Sequence, residues 1–257
     1  MILSGLPFAQ NGTKSVKDQT ISTSMFQATY SFQLPGADTK TTYGFSNTIG
    51  GSFIYKTDQN WLWTLNGNFI FGNQLNLDRI GIFGEGITTV DGEVISGDGI
   101  FSSFATYERG AHFQVEIGKL FPYKPNPNSG FFIQAGLGYL FNRIRIEDQF
   151  DITPQIANDY KYGYDQMRGG FASHAEAGYL FMSDTRIFNW SVSLEVTYAR
   201  TKHLRDYDFR VFYDESGTPR PVGPTDPNKR YNDLYYGIRV SWIIPTYQRQ
   251  PEEFYYH

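Results

Sequence analysis

In WSVSLEVTYART, Trp190 to Thr201, two sets of side chains alternate without a break as far as Ala199. Trp190, Val192, Leu194, Val196 and Tyr198 share one parity, and Ser191, Ser193, Glu195, Thr197 and Ala199 the other. A period of two belongs to a strand with two unlike faces. The run also has roughly the 9–11 residues that a tilted strand needs to cross a bilayer. In a soluble sandwich the apolar face would look inward and Glu195 would meet water. In a membrane barrel the faces exchange roles, so apolar side chains meet lipid and Glu195 faces an enclosed interior. One strand fits both, and the rest of the chain has to decide.

The same alternation recurs from Met25 to Leu34, Asn47 to Lys56, Trp61 to Phe71, about Ala105 to Leu120, Phe131 to Phe141, Phe171 to Phe181 and Tyr231 to Ile244. With the opening stretch this makes eight strands. Short connections are read at Thr57–Asn60, at the proline-rich PYKPNPNS of Pro122–Ser129, and at Met182–Asn189. Three prolines there cannot donate to a ladder, so Pro122–Ser129 is read as a turn. The intervening connections are longer and polar: Pro35–Phe45, Gly72–Gly99, Glu147–Gly169 and Lys202–Arg230. Short turns at one end and long loops at the other are the rhythm of an outer-membrane barrel. Charge placement agrees, because Glu116, Glu176, Glu195 and Arg239 all fall on polar parities. Arg109 and Lys119 have the apolar parity of their strand but lie towards its ends, where interfacial charge costs little. The chain is therefore expected to be all-β: an eight-stranded antiparallel up-and-down transmembrane β-barrel over residues 25–244, with long extracellular loops and both termini periplasmic.

Composition narrows the alternatives. No stretch approaches the ~18 consecutive apolar residues of a membrane helix. Aromatics reach 18%, with 19 Tyr and 22 Phe, while the mean hydropathy is −0.42; strands that are half polar produce that combination. A net charge of −4 offers no basic patch for nucleic acid. The absence of cysteine removes disulfides, thiolate metal sites and cysteine nucleophiles together. Residues 1–9, MILSGLPFA, read as the remnant of a signal peptide, residues 10–24 as an N-terminal periplasmic segment, and residues 245–257 as a periplasmic tail.

Eight strands enclose a space that side chains can fill. Glu116, His174, Glu176, Glu195 and Arg239 are the charged and titratable occupants expected there, among Gln27, Thr64, Asn66, Gln114 and Gln134. Arg239 is expected to bridge to Glu195 on the neighbouring strand, with Glu176 or Glu116 joining. A packed polar plug is the plain reading, and a gated proton or ion path the sharper one. His112 with Glu116 and His174 with Glu176 have the residue types of acid–base catalysis, but parity turns Ser173 outward and His174 inward. Four histidines without a compact motif make a weak metal signal. No catalytic, cofactor-binding or metal-binding residue is assigned, and no cofactor is expected. Trp61, Trp63, Trp190 and Trp242 fall near one set of strand ends as an aromatic girdle towards outer-membrane lipid. Tyr160, Tyr162 and Tyr164 in one loop, and Phe254, Tyr255 and Tyr256 in the tail, are candidate partner contacts.

The strands QAGLGYLF (Gln134–Phe141) and EAGYLF (Glu176–Phe181) resemble those of small eight-stranded outer-membrane barrels, the OmpA transmembrane domain and OmpX among them. They are especially similar to the small barrels of Bacteroidota, including the PorT-like proteins of type IX secretion. The resemblance is one of pattern over about Met25 to Ile244. It implies an outer-membrane location, in the PorT-like case service to a larger machine, and no catalytic residue. The expected role is a non-enzymatic accessory or scaffold subunit of an outer-membrane complex for secretion or other protein transport, barrel assembly or nutrient import. Other outer-membrane or periplasmic proteins would be its partners. A lipid-modifying enzyme and a stand-alone surface adhesin are the rival readings.

Overall fold

The computed structural model describes residues 19–123, 126–150, 152–183 and 187–246. The sequence-based expectations for residues 1–9 and for Phe254, Tyr255 and Tyr256 lie outside them. The strands are β1 (Thr23–Ala37), β2 (Ser46–Lys56), β3 (Trp61–Gly72), β4 (Phe104–Tyr123), β5 (Asn126–Asp148), β6 (Arg168–Phe181), β7 (Trp190–His203), β8 (Tyr207–Tyr213), β9 (Pro219–Pro224) and β10 (Tyr231–Pro245). Among the described residues β8 and β9 pair only with each other. The other eight close into a ring in the order β1-β10-β7-β6-β5-β4-β3-β2. Each neighbouring pair is antiparallel, and the ring closes where β1 meets β10, from Met25 opposite Pro245 to Ala37 opposite Asp233. The expected eight-stranded up-and-down barrel is the observed fold.

Burial settles which way the faces look. Leu137 is 72% exposed and Leu194 66%, whereas Glu195 keeps 4% and Arg239 1%. Apolar residues cover the outside of a closed cylinder and charge is sealed within it. A water-facing wall of this kind would be an aggregation surface; against hydrocarbon it is the expected one.

The interior is layered rather than uniformly polar. At the end with the short turns, Met25, Ile54, Leu62, Leu120, Phe132, Leu180, Met182 and Ile243 pack into an apolar layer, with Ile21 against it. Charged and amide side chains fill the middle. Above them lie Ile70, Leu140, Ala172, Ala199 and Tyr235. The loops then form a core of their own from Tyr43, Ile82, Phe83, Val94, Ile144, Ile146, Ile156 and Tyr164. Hiding each large side chain from water contributes about 1.5–3 kcal/mol, so the apolar layers hold both ends of the lumen shut.

Three sequence-based expectations are corrected. Pro122–Ser129 is not a turn throughout: Pro122 pairs with Gly130 and Tyr123 with Asn126, so Pro122 and Pro127 belong to strands. The register slips between Pro122 and Tyr123, and strand ends and bulges are where a missing N–H is tolerated. Pro125 lies outside the described residues. Second, β5 runs seven residues past its predicted limit of Phe141 at the loop end, to Asp148 opposite Phe104, whereas β4 begins there within one residue of the expected Ala105. Third, the long connections are structured. Gly72–Gly99 holds a short helix, Arg79–Phe83, which Asp78 caps by accepting from the Gly81 N–H at 2.8 Å. It ends on Gly84 at φ +76, where a Cβ would fall 2.7 Å from the Val211 nitrogen. Only glycine fits that approach of the loop to β8. Two 3₁₀ turns occupy Pro154–Ile156 and Asn158–Gly163, and Lys202–Arg230 contains the β8–β9 hairpin. These pieces are held by contacts between loops, so they carry no periodicity of their own.

Candidate functional site

The middle of the lumen gathers the five residues singled out from sequence. On successive strands, Glu116 of β4 is opposite Gly136 of β5, which is opposite His174 of β6. His174 Nδ1 lies 2.9 Å from Glu116 Oε1, and Nε2 lies 3.6 Å from Glu195 Oε2. Glu176 and Glu195 face each other directly across β6 and β7, a like-charge pairing that would destabilise the sheet by itself. Arg239, one diagonal step along β10, answers both carboxylates. Its guanidinium nitrogens lie 2.6 Å from Glu195 Oε2 and 3.3 Å from Glu176 Oε2. Gln33 donates to Glu195 at 2.6 Å, Gln134 to Glu176 at 3.0 Å, and Ser193 also donates to Glu176.

Ligand atoms of Glu116, His174 and Glu176 lie within 4.8 Å of one another, a donor set suited to a metal. Those atoms are already engaged with each other and with Arg239. The acid–base pairing of His112 with Glu116 does not form. Glu116 meets His174 and Asn66 instead, and the His112 ring packs 6.5 Å from that of His174. Ser173 is exposed on the outer wall and donates to the Tyr198 carbonyl at 3.3 Å, away from His174.

A second charged layer, nearer the loops, was not identified from sequence. Glu108 accepts from Tyr235 at 2.8 Å and from Ser46. Asp233 accepts from Thr201 at 2.6 Å and Thr39 at 2.9 Å, with Arg168 3.5 Å away. The signal was available: Glu108, Arg168 and Asp233 continue the inward parities of His112, His174 and Arg239. At the opposite end, buried Lys56 donates to Asn128 Oδ1 at 2.9 Å and to the Ile21 carbonyl at 3.1 Å. The same Asn128 oxygen accepts from the Ile21 N–H, and its amide donates to the Gln19 carbonyl. This clasp lays the segment before β1 across the turn end.

The outer wall carries its tryptophans at the strand ends. Trp61, Trp63, Trp190 and Trp242 are all exposed at the turn end, Trp190 directly opposite Trp242. Trp242 donates its indole N–H to the Ile187 carbonyl at 2.6 Å, and the Lys119 ammonium sits 4.8 Å from the centre of the Trp61 ring. Towards the loop end, Tyr30 donates to Asn47 and Tyr198 to Asn232. Between Lys119 and Arg109, β4 exposes Ile117, Val115 and Phe113 to lipid, and Ala111, of the same parity, is covered. At roughly 3.4 Å per residue and a tilt of about 40°, that stretch rises ~25 Å, the height of an apolar band.

The loop end separates the three tyrosines. Tyr160 and Tyr162 stay exposed, the latter beneath the Arg205 guanidinium at 4.6 Å. Tyr164 is buried, its ring 5.7 Å from Phe83 and 5.9 Å from Phe209, so it is not available as a partner contact. Burial, with nearby Asp208, raises its hydroxyl pKa. Arg205 holds Asp165 at 2.6 Å, which keeps the guanidinium charged. In the β8–β9 turn, Asp214 accepts from the Ser216 hydroxyl and the Thr218 N–H and pairs with Arg220, which lowers its pKa to about 2.

A closed antiparallel ring with a sealed polar interior and an apolar wall flanked by aromatics defines a transmembrane β-barrel of the small, eight-stranded kind. No family model matches the sequence, and none of the curated proteins does. Among solved structures the chain is similar to Ail, the attachment invasion locus protein of Yersinia pestis, in a crystal structure of its complex with the heparin analogue sucrose octasulfate. The TM-score is 0.42 at 7% identity, over 87% of this chain and 99% of that one. The N-terminal β-barrel domain of Pseudomonas aeruginosa OprF gives a TM-score of 0.39 at 10% identity, over 87% and 100%. The outer membrane protein OprG, also of P. aeruginosa, gives 0.38 at 12%, over 89% and 98%.

Proposed function

We propose that this barrel is a non-enzymatic accessory subunit of a larger outer-membrane assembly, with its turn end and both termini in the periplasm and its loop end outside the cell. The observation that carries the reading is the apolar surface left at the loop end. Phe101 is 66% exposed there, and Val90, Ile100 and Phe150 are exposed too, although the loops already have a core. Exposed apolar clusters above the membrane suit a protein partner. The shut lumen speaks against transport through the barrel, and the separation of Ser173 from His174 speaks against hydrolysis.

A photo-crosslinking residue at Phe101, in cells carrying the full chain, tests this. The expected result is one stoichiometric protein partner, lost when Ile100→Glu and Phe101→Glu are combined in a barrel that still folds. Target binding by the isolated barrel through its loops would favour the adhesin. Changed lipid chemistry on deletion, with no partner, would favour the enzyme. Since the chain has no cysteine, a Gly217→Cys variant labelled by an impermeant maleimide on intact cells reads the orientation separately.

A further inference from the structure

We propose that the cleft between the β4–β5 hairpin and the 149–165 loop holds a phosphate of a membrane glycolipid head group, with Arg143 and Lys161 as its ligands and Arg109 at its foot. The cleft has a volume of about 800 Å³, and Tyr107, Arg143, Arg145, Glu147, Lys161 and Tyr162 are among its lining residues.

Its carboxylates are all engaged. Glu147 pairs with Arg145 at 2.6 Å, and Asp165 with Arg205 at 2.6 Å. Asp148 accepts from the backbone N–H groups of Phe150 and Thr153. The side chains of Arg143 and Lys161 have no hydrogen-bond or ion-pair partner among the described residues. Arg143 also stands directly opposite Arg109 in the β4–β5 register. Like charges in that position destabilise a sheet unless an anion lies over both. Among the described residues Arg109 itself is met only by the carbonyls of Glu108, at 2.7 Å, and Gly72, and by the Tyr107 ring at 4.8 Å. None of these neutralises it.

Depth selects a lipid as the carrier of the anion. Arg109 and Arg143 have the outward parity of their strands and lie at the loop-side edge of the apolar band, ~25 Å above Lys119 by the strand rise. That is the level of lipid head groups. Guanidinium groups bind phosphate through paired, charge-assisted hydrogen bonds, and basic recesses at this depth suit anionic head groups. A sugar-bearing head group also has the bulk to fill a cleft of this size between Tyr107 and Tyr162. The assignment to an outer-leaflet glycolipid rests on the orientation proposed above.

The test uses the folded barrel in neutral detergent, titrated with lipid A carrying its phosphates and with dephosphorylated lipid A, the bound lipid being counted by native mass spectrometry. The phosphorylated form is expected to bind one to one, and the dephosphorylated form about tenfold or more weaker, the scale of one charge-assisted contact. Combining Arg143→Ala with Lys161→Ala should weaken the phosphorylated form by a similar factor, heat-modifiable migration on a gel confirming that the variant folds. Equal binding of the two lipids by the wild-type barrel, which needs no variant, would overturn the proposal; so would unchanged binding by the folded double variant. Displacement of the lipid by millimolar inorganic phosphate would make this a site for free anions and would sink the glycolipid. None of these readings depends on orientation, which the label at position 217 reports.

Discussion

His174 meets Glu116 across a strand to which neither belongs. Nδ1 and Oε1 are 2.9 Å apart, and β5 passes between them at Gly136, which is opposite Glu116 on one side and His174 on the other. A Cβ at Gly136 would fall 2.1 Å from the Val115 carbonyl oxygen and 2.7 Å from Glu116 Cγ. The contact exists because the strand between presents no side chain.

Gly136→Ala should therefore destabilise the barrel even though alanine is the smallest change available. The backbone has to shift, and overpacking of this kind costs about 1–3 kcal/mol. Urea unfolding in vesicles, followed by tryptophan fluorescence, measures it, with Ser173→Ala on the outer wall as a neutral control. Equal midpoints would mean that β5 moves aside freely and that the glycine is incidental.

Arg239→Ala removes the only guanidinium among the described residues that answers both Glu176 and Glu195. Leaving paired carboxylates buried costs about 3–5 kcal/mol, whereas replacing a whole buried network by apolar groups of similar volume is often neutral. The single variant should lose its heat-resistant gel migration at a clearly lower temperature. Arg239→Met with Glu176→Leu and Glu195→Leu should recover much of the loss. If the single variant melts with the parent, the cluster contributes little to holding the strands.

The outer wall can be probed with charge. Leu137→Arg places a cation in the middle of the apolar band and should cost about 2–4 kcal/mol, while Phe131→Arg near the turn end should cost about 0–1 kcal/mol. Folding yield into vesicles would separate the two. Similar tolerance at both positions would contradict the lipid-facing assignment of β5.

Acid should loosen the β8–β9 hairpin late. The carboxyl of Asp214 is held down to about 2 by the Ser216 hydroxyl, the Thr218 N–H and Arg220, below an ordinary aspartate near ~3.9. A depressed folded-state value contributes stability above the unfolded value and loses it as pH falls through the folded one. The protection factor of the Thr218 amide, its exchange rate relative to that of an unstructured peptide at the same pH, should thus stay constant from about pH 4 upward and fall towards about pH 2. Asp214→Asn should abolish that pH dependence; a profile identical to the parent would show that the carboxylate does not organise the turn.

Period two exposed the barrel because a lipid-facing strand must alternate through the apolar band, and Trp190 to Tyr198 does so without exception. The same rule pointed Glu116, His174, Glu176, Glu195 and Arg239 into one interior. Strand neighbourhood gave Arg239 its partner Glu195, but alternation gives a direction for each side chain and no height, so it could not place His174 between Glu116 and Glu195. Register supplies that. The apolar interior layers were missed for a related reason, since Leu62, Leu120 and Leu180 have the polar parity and are apolar only because they cap it. The loop core escaped altogether: Phe83, Ile156 and Tyr164 converge from distant segments, with no local repeat to announce them.

The clasp of Lys56, Asn128 and Ile21, and the hydrogen bond from Thr246 to the carbonyl of Ser24, 222 positions away, bring both ends of the sheet to one rim. Synthesis order then dictates assembly order. A nascent chain that stops before β10 leaves β1 and β7 as bare edges, each able to recruit a foreign strand. The seam can shut only after β10 has been delivered, roughly two hundred residues after β1, and loop closure over such a separation is intrinsically slow. Until then, the half-made cylinder keeps two rims of unpaired N–H and C=O groups.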